Sequence, residues 1–113
     1  MNIAILLPYK ENFTKKRAGA VSIFVNDTIK LSKYKKNIKV YGYTSFSDRL
    51  NYYKNIHIKK RFLQSTSFQY LNKFLNETKN IKIDILEIHN RPNYINFLDK
   101  NYNSIKILYF HND

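Results

Sequence analysis

The sequence predicts an α/β domain built on an open parallel sheet, and three observations carry that prediction. An apolar run leads straight into a polar, turn-prone tip three times: Ile3-Ala-Ile-Leu-Leu-Pro-Tyr-Lys-Glu-Asn, Ile85-Leu-Glu-Ile-His-Asn-Arg-Pro and Ile105-Lys-Ile-Leu-Tyr-Phe-His-Asn-Asp. Short, continuous apolar runs are what strands buried on both faces look like. Segments of helical periodicity lie between such runs, as in βαβ units with right-handed crossovers. Polar residues gather where the strands end, and open α/β sheets bind ligands outside the carboxyl ends of their strands.

Residues 3 to 8 read as the first strand, which Pro8 ends. A polar loop from Tyr9 to Arg17 leads to Ala18-Gly19-Ala20, after which Val21, Phe24, Val25, Thr28 and Leu31 recur at helical spacing. This first helix should run to about Tyr34, with lysines at its C-terminal end, where the helix dipole favours cations. Ile38 to Gly42 alternates as a second strand, and Ile56 to Lys60 fits a short third one. The stretch between them, Thr44 to Asn55, reads as loop or a short helix. Ser65 and Ser67 are both placed to cap a second helix with the stripe Phe68, Leu71, Phe74 and Leu75, and Asn80 should lie just past its end. Ile83 to Ile88 is the fourth strand, Pro92 suits the first turn of a short helix carrying Tyr94, Ile95 and Leu98, and Ile105 to Phe110 is the fifth strand. The class is Rossmann-like. The expected order is 3-2-1-4-5, with a crevice between the first and fourth strands.

A chain of 113 residues suffices for one domain with a single core. Ten tyrosines and eight phenylalanines supply ample apolar surface and argue against disorder. The absence of cysteine excludes a disulfide framework, a thiolate metal site and a cysteine nucleophile, and points to a reducing cytoplasm. The apolar run at residues 3 to 8 is too short for a signal segment and follows no basic one. No stretch approaches the roughly 18 apolar residues of a membrane-spanning helix, so the expectation is a soluble protein or one held peripherally at the inner face of a membrane.

The net charge of +12 admits two readings. Asn, Ile, Lys and Tyr are over-used together, which is the codon signature of an AT-rich genome and needs no polyanionic partner. The rival is a basic α/β module that docks on nucleic acid or anionic membrane. Its clusters, Lys15-Lys16-Arg17, Lys33 with Lys35-Lys36, and Lys59-Lys60-Arg61, fall on separate segments and form no obvious single groove. Nucleic acid is therefore not the expected partner.

The chemistry-bearing residues sit at the tips. Gly19, at a helix start after the first strand, permits close backbone approach by an anion, or merely makes the turn. The loop has neither G-x-G-x-x-G nor G-x-x-x-x-G-K-[ST], so it lacks the signatures for NAD and for nucleoside triphosphates. His89 and His111 each follow an apolar strand and precede Asn, and neither has metal-ligand spacing with another histidine. Glu87 alternates with Leu86 and Ile88 and so points to the opposite side of the sheet. Arg91 can grip an anionic or polar group with its planar fork of donors, and Lys16 and Arg17 can attract phosphate; each of these is equally readable as a solvated surface charge. No G-x-S-x-G elbow is present.

In order, the pieces Asn2-Ile-Ala-Ile-Leu-Leu-Pro, Ala18-Gly-Ala-Val-Ser, Glu87-Ile-His-Asn-Arg-Pro and Leu108-Tyr-Phe-His-Asn-Asp resemble the N-terminal domain of the family-four retaining GT-B glycosyltransferases, which build lipopolysaccharide and other surface polysaccharides. The resemblance spans nearly the whole chain. It implies that a hexose moves from a nucleotide sugar to a cell-surface glycan or lipid-linked acceptor, with no cofactor or metal. It implies that Gly19, with Ala20, lies at the donor diphosphate, although Ala18 and Ala20 stand where many relatives carry a further glycine. It places His111 beside the transferred sugar as the catalytic candidate, and His89, Asn90, Arg91, Asn112 and Asp113 on the acceptor side. Enzymes of this kind complete the site with a second, C-terminal domain that holds most of the nucleotide. The 113 residues account for the N-terminal domain alone, so the expectation is a truncated product, a fragment or one piece of a split enzyme, inactive by itself.

Overall fold

The computed structural model describes residues 1–59 and 64–111. Its strands are β1 (Ile3–Leu6), β2 (Ile38–Gly42), β3 (Tyr53–Asn55), β4 (Ile85–His89) and β5 (Ile105–Tyr109), and its helices α1 (Ala20–Leu31), α2 (Thr66–Thr78) and α3 (Pro92–Leu98). All five strands pair in parallel, in the order β3-β2-β1-β4-β5. The fold is Rossmann-like, as the alternation of strand and helix signals predicts. Among the described residues no helix is long and apolar enough to cross a membrane.

Strand periodicity sorts the core into two layers. Ile3, Ile5, Leu7, Ile38 and Val40 face α1, which answers with Val21, Val25 and Ile29 at i, i+4 and i+8. On the other face Ala4, Leu6, Tyr41, Leu86 and Ile88 meet Tyr70, Leu71 and Phe74 of α2 and Tyr94 and Leu98 of α3. Central β1 is buried on both faces, hence its unbroken apolar run; edge strand β5 leaves Ile105 two-thirds exposed. The Tyr70 hydroxyl donates to the carbonyl of Leu7 at 2.6 Å, tying α2 to the end of β1, and complete burial pushes its pKa well up, so it stays a neutral donor.

Several boundaries differ from the sequence expectations: β1 ends at Leu6 and not at Pro8, β4 is Ile85–His89 and not Ile83 to Ile88, and β5 ends at Tyr109 and not at Phe110. α1 stops at Leu31 because Ser32 leaves the helix with extended backbone, and its Oγ accepts from the Tyr34 N–H at 3.0 Å. A serine that bonds locally competes with helix propagation. The third strand is Tyr53–Asn55, not Ile56 to Lys60. Tyr53 stacks on Phe13 beneath α1, while Ile56 is fully buried but lies just beyond the paired segment, so its apolarity marks core and not strand; Lys60 lies outside the described residues. Of the two serines offered as caps, Ser65 is the N-cap, accepting from the Phe68 N–H at 3.1 Å, and Ser67 lies inside α2.

Candidate functional site

The carboxyl ends of β1 and β4 diverge at the switch in strand order, and a cleft of about 290 Å³ opens there, lined by Pro8, Tyr9, Lys10, Glu11, Ala20, Val21, Asn90 and Arg91. One wall is the loop between β1 and α1. Phe13 and Thr14 bury its middle, and the segment 48–50 staples it: Lys15 N–H donates to the Asp48 carbonyl, Lys16 N–H to the Asp48 carboxylate, and Leu50 N–H to the Phe13 carbonyl. The Arg17 guanidinium lies 4.3 Å from the centre of the Phe46 ring, a cation–π contact.

Gly19 is the N-cap of α1, with φ −78° and ψ 178°, ordinary extended backbone that demands no glycine. What demands it is space. A Cβ there would meet a Glu11 carboxylate oxygen at 2.7 Å. That carboxylate accepts from the Ser22 N–H at 3.2 Å and from the Ser22 hydroxyl at 2.7 Å. The anion nearest Gly19 and Ala20 is thus the chain's own, capping the positive end of α1. Gly19→Ala should displace the carboxylate and cost about 1 kcal/mol, the usual worth of a helix cap. In a Glu11→Ala background the same change should cost nothing. Urea unfolding of the four proteins in this double-mutant cycle checks the coupling.

The opposite wall is the turn after β4. Asn90 adopts a left-handed conformation, φ 57°, which Asn tolerates better than most residues. Its N–H donates to the Tyr109 carbonyl at 2.9 Å, and its side-chain oxygen accepts from the His111 N–H at 2.7 Å. Asn90 therefore ties the ends of β4 and β5 together. Arg91 is exposed, donates to the Asn90 carbonyl at 2.7 Å and precedes Pro92, the first residue of α3.

His89 and His111 come together beside this cleft rather than in its lining. His89 is fully buried, and its Nδ1 lies 2.8 Å from His111 Nε2. The His89 ring stacks on Tyr109 with planes 5° apart, and Phe24, one turn along α1 from Ala20, meets the His111 ring edge-on at 4.9 Å. Among the described residues His89 Nε2 has no hydrogen-bond partner; Glu87 Oε2 lies 3.5 Å away, too long to satisfy it. Glu87 points to the α1 side, as its alternation predicts, and is partly exposed there.

The structure thus brings Ala20, Asn90 and Arg91 to one cleft and pairs His89 with His111 next to it, all on one rim. Asn112 and Asp113 lie outside the described residues. Sequence reasoning missed Glu11, whose partner Ser22 is eleven positions away and follows no motif. It also missed a stack of Tyr9 on Tyr43, ring centres 5.2 Å apart, along the same rim. Burial raises the Tyr9 and Tyr94 pKa values, so both stay neutral, and the Tyr94 oxygen accepts from the Tyr9 N–H at 3.3 Å. A larger open groove of about 610 Å³ runs along α2 between His57, Lys59 and Lys73 and shares no lining residue with the cleft between β1 and β4. Among the described residues no group of three His, Cys, Asp or Glu is placed to hold a metal ion. Comparisons with protein-family models, with characterised proteins and with solved structures found no match to this chain.

Proposed function

We propose that the chain is the acceptor-side half of a retaining glycosyltransferase, which moves a hexose from a nucleotide sugar to a cell-surface glycan or lipid-linked acceptor. The observation that carries the reading is the meeting, at the switch between β1 and β4, of the β1–α1 loop with Asn90, Arg91 and the His89–His111 pair. These are the segments through which the sequence resembles that family.

In this reading the donor sugar lies against His111 and the acceptor against Asn90 and Arg91. Lys10 and Arg91 line the cleft and supply positive charge where a diphosphate departs. The N-terminus of α1 is already filled by Glu11, so a donor phosphate has to displace that carboxylate or bind outside it. This changes the part given to Gly19 and Ala20: they make room for Glu11, and any contact to phosphate follows its movement. No cofactor enters the scheme. The remainder of the donor site falls to a second, C-terminal domain, and peripheral contact with an anionic membrane suits a lipid-linked acceptor.

The rival, a basic module for nucleic acid, needs one contiguous cationic face. Lys15 to Arg17 lie at the carboxyl ends of the strands, whereas Lys33, Lys35 and Lys36 lie between α1 and β2, at the amino ends; of the third cluster, Lys60 and Arg61 lie outside the described residues. The test is transfer from radiolabelled nucleotide sugars to lipid-linked acceptors. The 113 residues alone should give no transfer, because an open half-cleft neither orients the two substrates nor excludes water. With a C-terminal donor domain supplied in trans, transfer should appear. Robust transfer by the 113 residues alone, or none in any reconstituted pair, overturns the reading.

A further inference from the structure

Strands of other chains attach at the edges of a sheet, and natural folds blunt those edges with brevity, lysines, prolines or bulges. The two edges of this sheet differ in that respect. β3 has three residues, with the exposed Lys54 at its centre. β5 has five, Ile105-Lys-Ile-Leu-Tyr, and Phe110 follows it. Its one charged side chain, Lys106, is turned back on its own segment: Nζ donates to the Tyr102 carbonyl at 2.8 Å and to the Ser104 carbonyl at 3.2 Å, and lies 3.1 Å from Asp99 Oδ1. Apolar side chains are left at the edge, with Ile105 67% and Phe110 71% exposed.

The backbone of that edge is open. The Ile105 N–H donates to the Asp84 carbonyl and the Tyr109 carbonyl accepts from the Asn90 N–H, so both groups point toward β4. Strand alternation then turns the N–H and C=O groups of Lys106, Leu108 and Phe110 outward, and among the described residues no strand lies beyond them. Charge selects the same face. Between residues 83 and 111, Arg91, Lys100 and Lys106 are matched by Asp84, Glu87 and Asp99, so this stretch is neutral in a chain of net charge +12. The three basic clusters all precede β4 in the sequence. Two such chains repel each other through their basic faces, whereas at β5 the nearby charges cancel and salt screens the distant ones.

We propose that two copies of the chain join through β5, antiparallel about a two-fold axis, so that their sheets become one. The strand is self-complementary when the axis passes beside Leu108. Leu108 then exchanges two hydrogen bonds with its own counterpart, and Lys106 exchanges two with Phe110 of the second copy, so every outward group of the three residues is satisfied. Ile107 lies on the same face as its ladder partner Glu87, the α1 face, and there it sits across from Tyr109 of the second copy. A β-branched side chain opposite an aromatic one stabilises antiparallel sheets. On the other face the Phe110 ring covers the aliphatic stem of Lys106 from the second copy. An axis beside Lys106 sets two ammonium groups against each other instead. Glycosyl transfer plays no part in this pairing.

Sedimentation equilibrium on the whole chain tests it. At micromolar concentration the wild type should show twice the chain mass of 13.6 kDa. Phe110→Lys sets an ammonium opposite Lys106 of the second copy and should raise the dissociation constant about tenfold or more; because Phe110 is exposed, the fold should survive the change. The chain has no cysteine, so Leu108→Cys supplies a single thiol at the axis, where facing Cα atoms about 5.5 Å apart lie within disulfide reach. It should cross-link on mild oxidation, and Ile105→Cys, three positions from the axis, should not. A monomeric wild type overturns the proposal. So does a dimer that Phe110→Lys leaves unchanged, or a Leu108→Cys dimer that fails to cross-link. A chain that is monomeric alone and uses β5 only to bind a C-terminal donor domain assigns the edge to that domain, and overturns it too.

Discussion

Replacing Tyr70 with alanine is expected to lower the unfolding free energy by about 4 kcal/mol, the upper range for truncating a buried aromatic. Tyr70 is among the largest fully buried side chains, and it packs near Tyr9 and Tyr94 beneath the strand ends. Truncation leaves a cavity and also strips the Leu7 carbonyl of its donor. A domain of this size is stable by only about 5 to 15 kcal/mol, so the variant should be partly unfolded at modest urea. Tyr70→Phe separates the two losses. It keeps the ring and removes only the hydroxyl, and should cost about 1 to 3 kcal/mol, the penalty for a buried acceptor left unpaired. Urea midpoints with unchanged slopes check both values. A Tyr70→Phe variant as stable as the wild type contradicts the bond to Leu7.

His111→Ala should reduce transfer by the reconstituted two-domain enzyme about a hundredfold or more in kcat, the loss typical of removing one polar group aimed at developing charge. Stability should fall as well, by about 1 to 3 kcal/mol, because the fully buried His89 loses the partner of its Nδ1, while the backbone N–H of residue 111 keeps its bond to Asn90. The urea midpoint reads the loss of the histidine pair, and kcat, measured where the variant is folded, reads the loss of contact with the sugar. Undiminished kcat for His111→Ala removes His111 from the site and leaves Asn90 and Arg91 as its polar core.

How far the site was legible in the sequence varies by residue. That His89 and His111 belong to one rim follows from their places at the carboxyl ends of neighbouring parallel strands, His89 opposite Tyr109 and His111 two positions further on. That Glu87 faces α1 follows from period-two alternation. Glu11 gave no signal, because a carboxylate in a polar loop looks the same whether it is solvated or caps a helix. The third strand was misplaced for a related reason: Ile56 and Ile58 alternate as a strand does, but pairing with β2 stops at Asn55.

The sequence by itself determined the class, the strand order and the side of the sheet to which Glu87 points. These depend on local period and on the handedness of crossovers, and both act over neighbouring residues or single βαβ units. Only the tertiary structure decided that Glu11 fills the N-terminus of α1, that His89 is sealed from water, and that its ring meets His111 across 22 positions of chain. Such contacts depend on the distances and angles at which separate segments arrive. A shift of about 1 Å makes or breaks a hydrogen bond while leaving every periodicity in the sequence unchanged.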